Sequence, residues 1–361
     1  MNHYSYYPGV LQFEISSNCN AQCPGCVRNI FVKSEDPAVN TDIHTIQVST
    51  HPDIPKNVYL DLDVFKSIFT ERVVEKLKHI EFIGTIDDPL VHPEFLQMLE
   101  FLTETLPEVR IVIHSNASLR TPEYFEEMAH ILKKVNHRFA FSIDGLEDTN
   151  HLYRRNTSWD KIMSNARAFI AAGGTATWQY LIFSWNEHQV DDAKSLAKEM
   201  GFIEFRARND RSLKGVDFKE AAIYTVGKTT FEKEKAIHDP QAQDSDIDCV
   251  MRPRGMYFVN YEGNVWPCCF LNNQFYRKEG ALAENRFRFN GNYGNNWNNL
   301  YHHTIDEILD NKFYTEDLVD SWDSVEHTTG PKGRIFKCTK TCTKKSLQVN
   351  PFSDHKTTKL N

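Results

Sequence analysis

From about residue 10 to residue 210 the chain alternates short apolar runs with amphipathic stretches of helical spacing. Leu11 to Ile15 is an alternating apolar run that predicts a first strand, and a polar loop follows it. Asp61 to Leu77 predicts a helix, with Val64, Phe65, Ile68 and Phe69 on one face. Further strands are predicted at Ile80 to Ile83, Val109 to Ile113, Phe139 to Ile143, Ala176 to Phe183 and Phe202 to Ala207. Between them lie predicted helices at Pro93 to Leu106, Thr121 to Leu132, Ser158 to Ala172 and Glu187 to Met200. Six strands separated by five helices imply a parallel sheet, open or closed, because each parallel connection needs a crossover. Residues 29 to 58 interrupt the alternation with a polar, proline-containing stretch, predicted to be a long loop or hairpin covering the site.

The pattern changes after residue 210. Residues 211 to 248 are polar and charged and predict a linker with at most one short helix. Met256 to Tyr261, the turn Glu262-Gly263-Asn264, and Val265 to Cys268 predict a β-hairpin. Thr304 to Asp310 predicts a short helix, and the Asn-rich segment Asn290 to Asn299 a loop. Lys344 to Asn361 is a polar tail, expected to be frayed.

Composition narrows the class. A chain of 361 residues suffices for one large domain or two ordinary ones. With 40% hydrophobic and 25% charged residues its composition is ordinary for a globular protein and argues against wholesale disorder. Lys and Arg number 41 against 49 Asp and Glu, a net charge of −8, which disfavours nucleic acid and anionic membranes as partners. The apolar runs are strand-length, short of the roughly 20 residues of a membrane span. The first residues lack the basic segment and apolar stretch of a signal peptide, so a cytoplasmic location is expected.

The eight cysteines are Cys19, Cys23, Cys26, Cys249, Cys268, Cys269, Cys338 and Cys342, with none between Cys26 and Cys249. A disulfide framework does not suit a chain of this length without an export signal, and the two groups look like two metal sites. Cys19-Asn-Ala-Gln-Cys23-Pro-Gly-Cys26 places three thiols directly after the first strand. Three thiolates on one loop can hold three irons of a [4Fe–4S] cluster and leave the fourth open to chemistry. A zinc site is the alternative; its usual pairs are spaced C-x2-C, and no local fourth ligand is present.

This spacing resembles the signature of the radical SAM superfamily, C-x3-C-x2-C after the first strand of a partial (β/α)6 barrel. The resemblance covers about residues 10 to 210 and implies a partial TIM-like barrel, residues 1–210 with the preceding segment. It further implies that the open iron binds S-adenosylmethionine, whose reductive cleavage yields a 5′-deoxyadenosyl radical that abstracts a hydrogen atom. The family often carries an aromatic residue before the third Cys, where this chain has Gly25. Gly84-Thr-Ile-Asp-Asp88-Pro89 stands where the family has Gly-Gly-Glu-Pro, so the resemblance gives Asp88 the ammonium of S-adenosylmethionine. A helix N-cap ahead of Pro89 is the structural alternative. Asn116, in Ser115-Asn116-Ala117, matches a Thr-Asn-Gly-like turn, and Ser142-Ile-Asp144-Gly145 resembles the ribose-contacting turn. Arg154 resembles the arginine that meets the carboxylate, a role Arg155 could also fill.

Trp178, Gln179, Tyr180, Arg206 and Arg208 sit on the fifth and sixth strands, where they can reach the cavity. For Trp178 and Tyr180, packing is at least as good an account. Arg206 and Arg208 share a face, and two inward cations need anions such as a substrate carboxylate or phosphate, unless solvent or Glu neutralises them. Asn186 either contacts S-adenosylmethionine or caps the following helix.

Cys249, then thirteen residues to Gly263, then four to Cys268, with Cys338 and Cys342 farther on, resembles the C-terminal SPASM and Twitch auxiliary-cluster domains of radical SAM enzymes. The resemblance implies a small α+β domain over residues 249–343, after the 211–248 linker and before the 344–361 tail. It also implies one auxiliary [4Fe–4S] cluster held by Cys249, Cys268, Cys338 and Cys342, as in a Twitch domain, with Cys269 spare. Full ligation leaves no open iron, so electron transfer is the expected role; a structural zinc on the same four thiols is the alternative. Relatives with such domains oxidise small sugar-like molecules or modify peptides. A small polar substrate is the first expectation, a peptide the second, and a noncatalytic iron–sulfur or zinc protein a third. An electron donor such as flavodoxin or ferredoxin is the implied partner.

Overall fold

The computed structural model describes residues 3–31, 47–209, 246–272, 289–324, 333–343 and 356–360. The predicted linker falls outside the described residues as far as residue 245, and so does most of the tail. The chain divides into two compact units, one built from Met1–Ile15, Asn57–Glu81 and Glu232–Asn350, the other from Ser16–Lys56, Phe82–Phe231 and Pro351–Asn361.

In chain order, β1 (Val10–Phe13) is followed by β2 (Asn29–Phe31) and β3 (Val48–Thr50), which pair antiparallel. The predicted loop or hairpin over 29 to 58 thus has paired ends, while residues 32–46 lie outside the described residues. The predicted helix Asp61 to Leu77 is two helices, α1 (Leu62–Ser67) and α2 (Glu71–Val74). Thr70 is the reason: its backbone is extended and its hydroxyl accepts from Val73 N, so it starts a new helix instead of continuing the old one. Then come β4 (His79–Phe82), α3 (Phe95–Thr105), β5 (Arg110–Ser115), α4 (Pro122–Leu132) and β6 (His137–Ser142). They are followed by α5 (Asn150–Tyr153), α6 (Trp159–Ala171), β7 (Ala176–Ile182), α7 (Val190–Met200) and β8 (Glu204–Asn209). Pro122 opens α4 and Ser158 caps α6 through Lys161 N, as their residue types favour.

The C-terminal part contributes β9 (Met256–Val259), β10 (Val265–Trp266), α8 (Cys269–Asn272) and α9 (Ile305–Leu309). These are followed by α10 (Leu318–Asp323), α11 (Phe336–Cys342) and β11 (Lys356–Lys359). Thr304 and Glu307 form a capping box that starts α9. The Asn-rich segment predicted as a loop opens with a helical turn over residues 289–293. Among the described residues no helix is long and apolar enough to cross a membrane.

In the first unit the strand order is β10-β9-β1-β4. The predicted hairpin forms, Val265 opposite Val259, and its β9 also pairs parallel with β1, Val10 opposite Met256 through Phe13 opposite Val259. All four β1 side chains are buried, as expected of a strand covered on both faces. In the second unit the order is β5-β6-β7-β8-β11, the first four parallel. β11 pairs antiparallel with β8, so the tail expected to fray contains a strand. The free N–H and C=O groups of a sheet edge accept such a strand even from a polar sequence.

Strand alternation gives the second unit two unlike faces. Phe139, Phe141, Trp178, Tyr180 and Phe205 point one way and are fully or almost fully buried. Phe125 and Phe169 from the helices stack onto them, for example Phe139 and Phe169 at 5.3 Å between centroids. Burying each ring contributes about 1.5–3 kcal/mol. The opposite face carries His114, Arg138, Ser142, Gln179, Arg206 and Arg208. Trp178 and Tyr180 therefore belong to the packing face, with Trp178 Nε1 donating to Ile143 O and Tyr180 Oη to Asn186 O. Gln179 alone of the three turns to the polar face.

Candidate functional site

The loop after β1 carries Cys19, Cys23 and Cys26, none of them in a disulfide. Cys26 N donates to Cys23 O at 3.1 Å, closing the loop on itself. Arg28, which is buried, donates through Nη1 to Ser17 O and to Ile86 O, and Asn29 Nδ2 donates to Cys23 O at 3.0 Å. These two side chains brace the thiol loop, and their signal in the sequence is only their place right after Cys26.

Each thiol has a neighbour from a strand end or the loop that follows it. Asn116 Nδ2 lies 3.8 Å from Cys19 Sγ, Arg154 Nη1 lies 3.8 Å from Cys23 Sγ, and Cys26 Sγ lies 3.9 Å from Thr85 O. Burial pushes the Cys19 thiol well up, with Asp88 and the other two cysteines adding to it. Burial likewise pushes Cys23 up to about 12, against the pull of Arg154. Metal binding reverses such a shift, because the ligand is the thiolate.

Gly25 sits against Tyr153. A Cβ at residue 25 would stand 3.0 Å from the Tyr153 hydroxyl, and the Tyr153 ring lies 4.6 Å from that of Phe183, which stacks on Trp185 at 4.4 Å. An aromatic side chain from α5 thus borders the place where the family often has one in the cysteine loop. Tyr153 was not legible as a site residue, since nothing local links it to Gly25.

Asp88 is buried and its oxygens are heavily used. Ser115 Oγ donates at 2.8 Å to both, Asn116 Nδ2 at 2.6 Å, Asn116 N at 2.9 Å and Leu90 N at 3.1 Å. Burial raises its pKa, and these donors work against the rise. Two carboxylate oxygens offer about four lone-pair sites, so the protein's own donors fill Asp88. It caps the 3₁₀ turn Pro89–Val91 and ties it to the end of β5, the geometry of the structural alternative. Asn116 passes the connection on, since its Nδ2 also donates to Asn20 Oδ1 at 2.8 Å.

Asp144 is fully buried and accepts from Arg154 Nε at 2.6 Å and from Leu181 N at 2.6 Å. Burial raises the Asp144 pKa, with Arg154 opposing it, while Asp144 and Cys23 hold Arg154 above its ordinary value despite burial. The structure thus brings Arg154 onto the Asp144 carboxylate, with Nη1 toward Cys23, while Arg155 also feels the charge of Cys23. Ser142 ends β6 half-buried and makes no side-chain hydrogen bond with a described residue. Asn186 neither caps the turn after it nor faces a thiol; its Nδ2 donates to Asp144 O and Leu181 O, tying two loops together.

In the first unit the C-terminal thiols also gather. Cys338 and Cys342 lie four residues apart on α11, hence on one face. Cys249 and Cys342 share a hydrogen bond that holds Cys249 down and Cys342 up. Cys268 is pushed up to about 12 by burial and then by Cys249. Val10, Met251 and Met256 form an apolar cluster against which Cys249 and Cys268 pack. Cys269 is the first residue of α8, not a strand residue, and burial, then Cys268 and Glu14, push its thiol up against the pull of Lys337. Among the described residues no three His, Cys, Asp or Glu side chains converge on one point as for a single ion. A cluster does not need such a point, because each corner takes its own thiolate. Three thiols on one loop, and four grouped in the C-terminal part, none in a disulfide, fit the donor sets of an open and a closed cluster.

The family model of the radical SAM superfamily matches residues 13–197, and that of the SPASM iron–sulfur cluster-binding domain matches residues 249–344. No curated protein matches in sequence. SuiB of Streptococcus suis bound to S-adenosylmethionine is 13% identical, over 74% of this chain and 61% of SuiB, with a TM-score of 0.45. This chain thus spans about three fifths of SuiB's length. For anSMEcpe with bound AdoMet the values are 16%, 84%, 78% and 0.49. For BtrN in complex with AdoMet and 2-DOIA they are 14%, 92%, 91% and 0.42. The mixed α/β fold with its mostly parallel strands is the partial TIM-like one expected. The chain belongs to the radical SAM superfamily and carries a SPASM iron–sulfur cluster-binding domain.

Proposed function

We propose that the protein cleaves S-adenosylmethionine reductively and abstracts a hydrogen atom from a small polar substrate. The observation that carries this reading is the loop of Cys19, Cys23 and Cys26 with Asn116 and Arg154 turned toward two of its sulfurs. Cys19, Cys23 and Cys26 hold the first cluster, and Cys249, Cys268, Cys338 and Cys342 the auxiliary one. When bound, the first cluster would pass on an electron from an external donor to split the sulfonium into methionine and a 5′-deoxyadenosyl radical, and the second would accept an electron from the substrate radical left by hydrogen abstraction.

The protein's own groups bind and orient. Arg154, aimed by Asp144, presents its remaining N–H groups to the carboxylate of S-adenosylmethionine. The Ser142 hydroxyl is available to the ribose. Asp88 fixes Ser115 and Asn116 rather than meeting the ammonium, because its oxygens are already occupied. The polar face of β5 to β8 supports a polar substrate, since apolar groups would leave its buried cations unsolvated.

The test is anaerobic reconstitution followed by incubation with S-adenosylmethionine and dithionite. About eight irons per chain and formation of 5′-deoxyadenosine are expected, with Cys19→Ala abolishing the product. A fully loaded protein that forms none would overturn the reading. Product analysis with candidate peptides and candidate small molecules separates the two substrate classes.

A further inference from the structure

We propose that the polar face of β5 to β8 is an anion-recognition site, and that the substrate carries a carboxylate or phosphate held by Arg208, Arg206 and His114. The word substrate rests on the radical-enzyme reading above; the anion site itself does not.

The strand register places the residues. His114, Ala140, Thr177 and Glu204 form one cross-strand row, and Ser142, Gln179 and Arg206 the next. Leu181 and Arg208 continue it toward the C-terminal strand ends. Ala140 and Thr177 are short, so the centre of the face is low and the long cationic side chains stand around it.

Charge on this face is unbalanced. Arg206 Nη2 lies 2.7 Å from Glu204 Oε2, and Arg138 Nη1 lies 3.9 Å from the same oxygen. One carboxylate therefore serves two guanidinium groups. Arg208 forms no ion pair with a described residue; its charge acts on Asp144 only at longer range, since that carboxylate bonds Arg154 at 2.6 Å. Guanidinium groups gathered on one face repel one another, and an anion that joins Arg206 and Arg208 relieves that repulsion.

The face also has unused donors. Gln179 Nε2 and Arg206 Nε are buried and make no hydrogen bond with a described residue. A buried N–H without an acceptor is destabilising, and a planar anion takes two parallel bonds from a guanidinium. Arg206 and Arg138 keep 26% and 17% of their side-chain surface accessible, so an incoming group can reach them. Burial, then Arg138, Arg208 and Arg206, push His114 down to about 3, leaving a neutral imidazole that can donate to an anion.

The experiment is calorimetry on the reconstituted full-length enzyme with S-adenosylmethionine present, using inorganic phosphate and glutarate as probes. Saturable binding of at least one probe is expected, weakened roughly tenfold or more by Arg208→Gln and by Arg206→Gln. Arg208→Lys, which keeps the charge but not the two parallel bonds, should recover only part of the affinity, and the exposed Lys133→Gln should bind as wild type does. Binding of phosphate alone or glutarate alone names the group the substrate carries. No saturable binding of either probe, or equal binding in wild type and both Gln variants, would overturn the proposal. Formation of 5′-deoxyadenosine by the same wild-type samples is read separately. Its absence alongside intact anion binding would reject the radical reading and keep the anion site; the reverse result would reject only the anion site.

Discussion

Asp144 holds Arg154 by a 2.6 Å bond to Nε and so leaves the outer guanidinium nitrogens free to face Cys23, with Nη1 at 3.8 Å from its sulfur. The pair is sunk into the protein, with side chains 1% and 18% accessible. The carboxylate thus acts on the chemistry through the arginine it aims.

Asp144→Asn should strip a buried cation of its partner, at about 3–5 kcal/mol of stability. Affinity for S-adenosylmethionine should fall with it. Denaturant titration and S-adenosylmethionine binding check both. Asp144→Asn combined with Arg154→Met should recover part of the stability but none of the binding. Strict additivity of the two stability losses would show that the pair is not coupled.

Gly84 leaves room for one specific carboxylate. A Cβ there would lie 1.4 Å from Asp87 Oδ1, while Asp87 Oδ2 accepts from Ser16 N at 3.2 Å at the entry to the cysteine loop. Gly84→Ala should therefore cost about 1–3 kcal/mol and loosen that loop. Adding Asp87→Ala removes the clash and should restore much of the loss in a thermal melt. A double variant no more stable than Gly84→Ala alone would place the strain elsewhere.

Tyr153 and residue 25 compete for one space. Gly25→Phe, which restores the aromatic type common in the family, should overpack the site by about 1–3 kcal/mol and lower retained iron. Gly25→Phe with Tyr153→Ala should hold iron better than Gly25→Phe alone. Iron assays after desalting decide it, and equal loss in the single and double variants would reject the exchange.

Adjacent cysteines should behave differently. Cys268 lies with Cys249 against the Val10, Met251 and Met256 cluster, while Cys269 opens α8. Cys268→Ala should lose about four irons per chain and Cys269→Ala none. Equal iron loss in the two variants would overturn the ligand assignment.

Acid should expose the state of His114. Its folded pKa lies at about 3, below the ordinary 6.5, because of burial and then Arg138, Arg208 and Arg206. Between those values the unfolded chain binds the proton more readily, so stability falls as pH drops from 6.5 toward 3. The slope from this residue should reach about 1.4 kcal/mol per pH unit. Stability measured from pH 7 to 5 in wild type and His114→Gln should differ by that slope. Parallel curves would show that His114 does not resist protonation.

Much of this protein was legible from its residues alone. Apolar periodicity located the alternating strands and helices, because side-chain direction within an element follows directly from backbone geometry. Alternation also placed Arg206 and Arg208 on one face, and the spacing of Cys19, Cys23 and Cys26 marked the thiol loop. Tertiary structure decided the rest. It filled Asp88 with donors from β5 and its following turn, set Tyr153 against Gly25, paired β9 with β1, and drew part of the tail onto β8. It also gave Glu204 to both Arg206 and Arg138. The physical reason is range. Periodicity is imposed by neighbours within a turn or a pleat, whereas Asp88 and Asn116, or Val10 and Met256, meet only once strand register has been chosen, and register depends on the whole sheet.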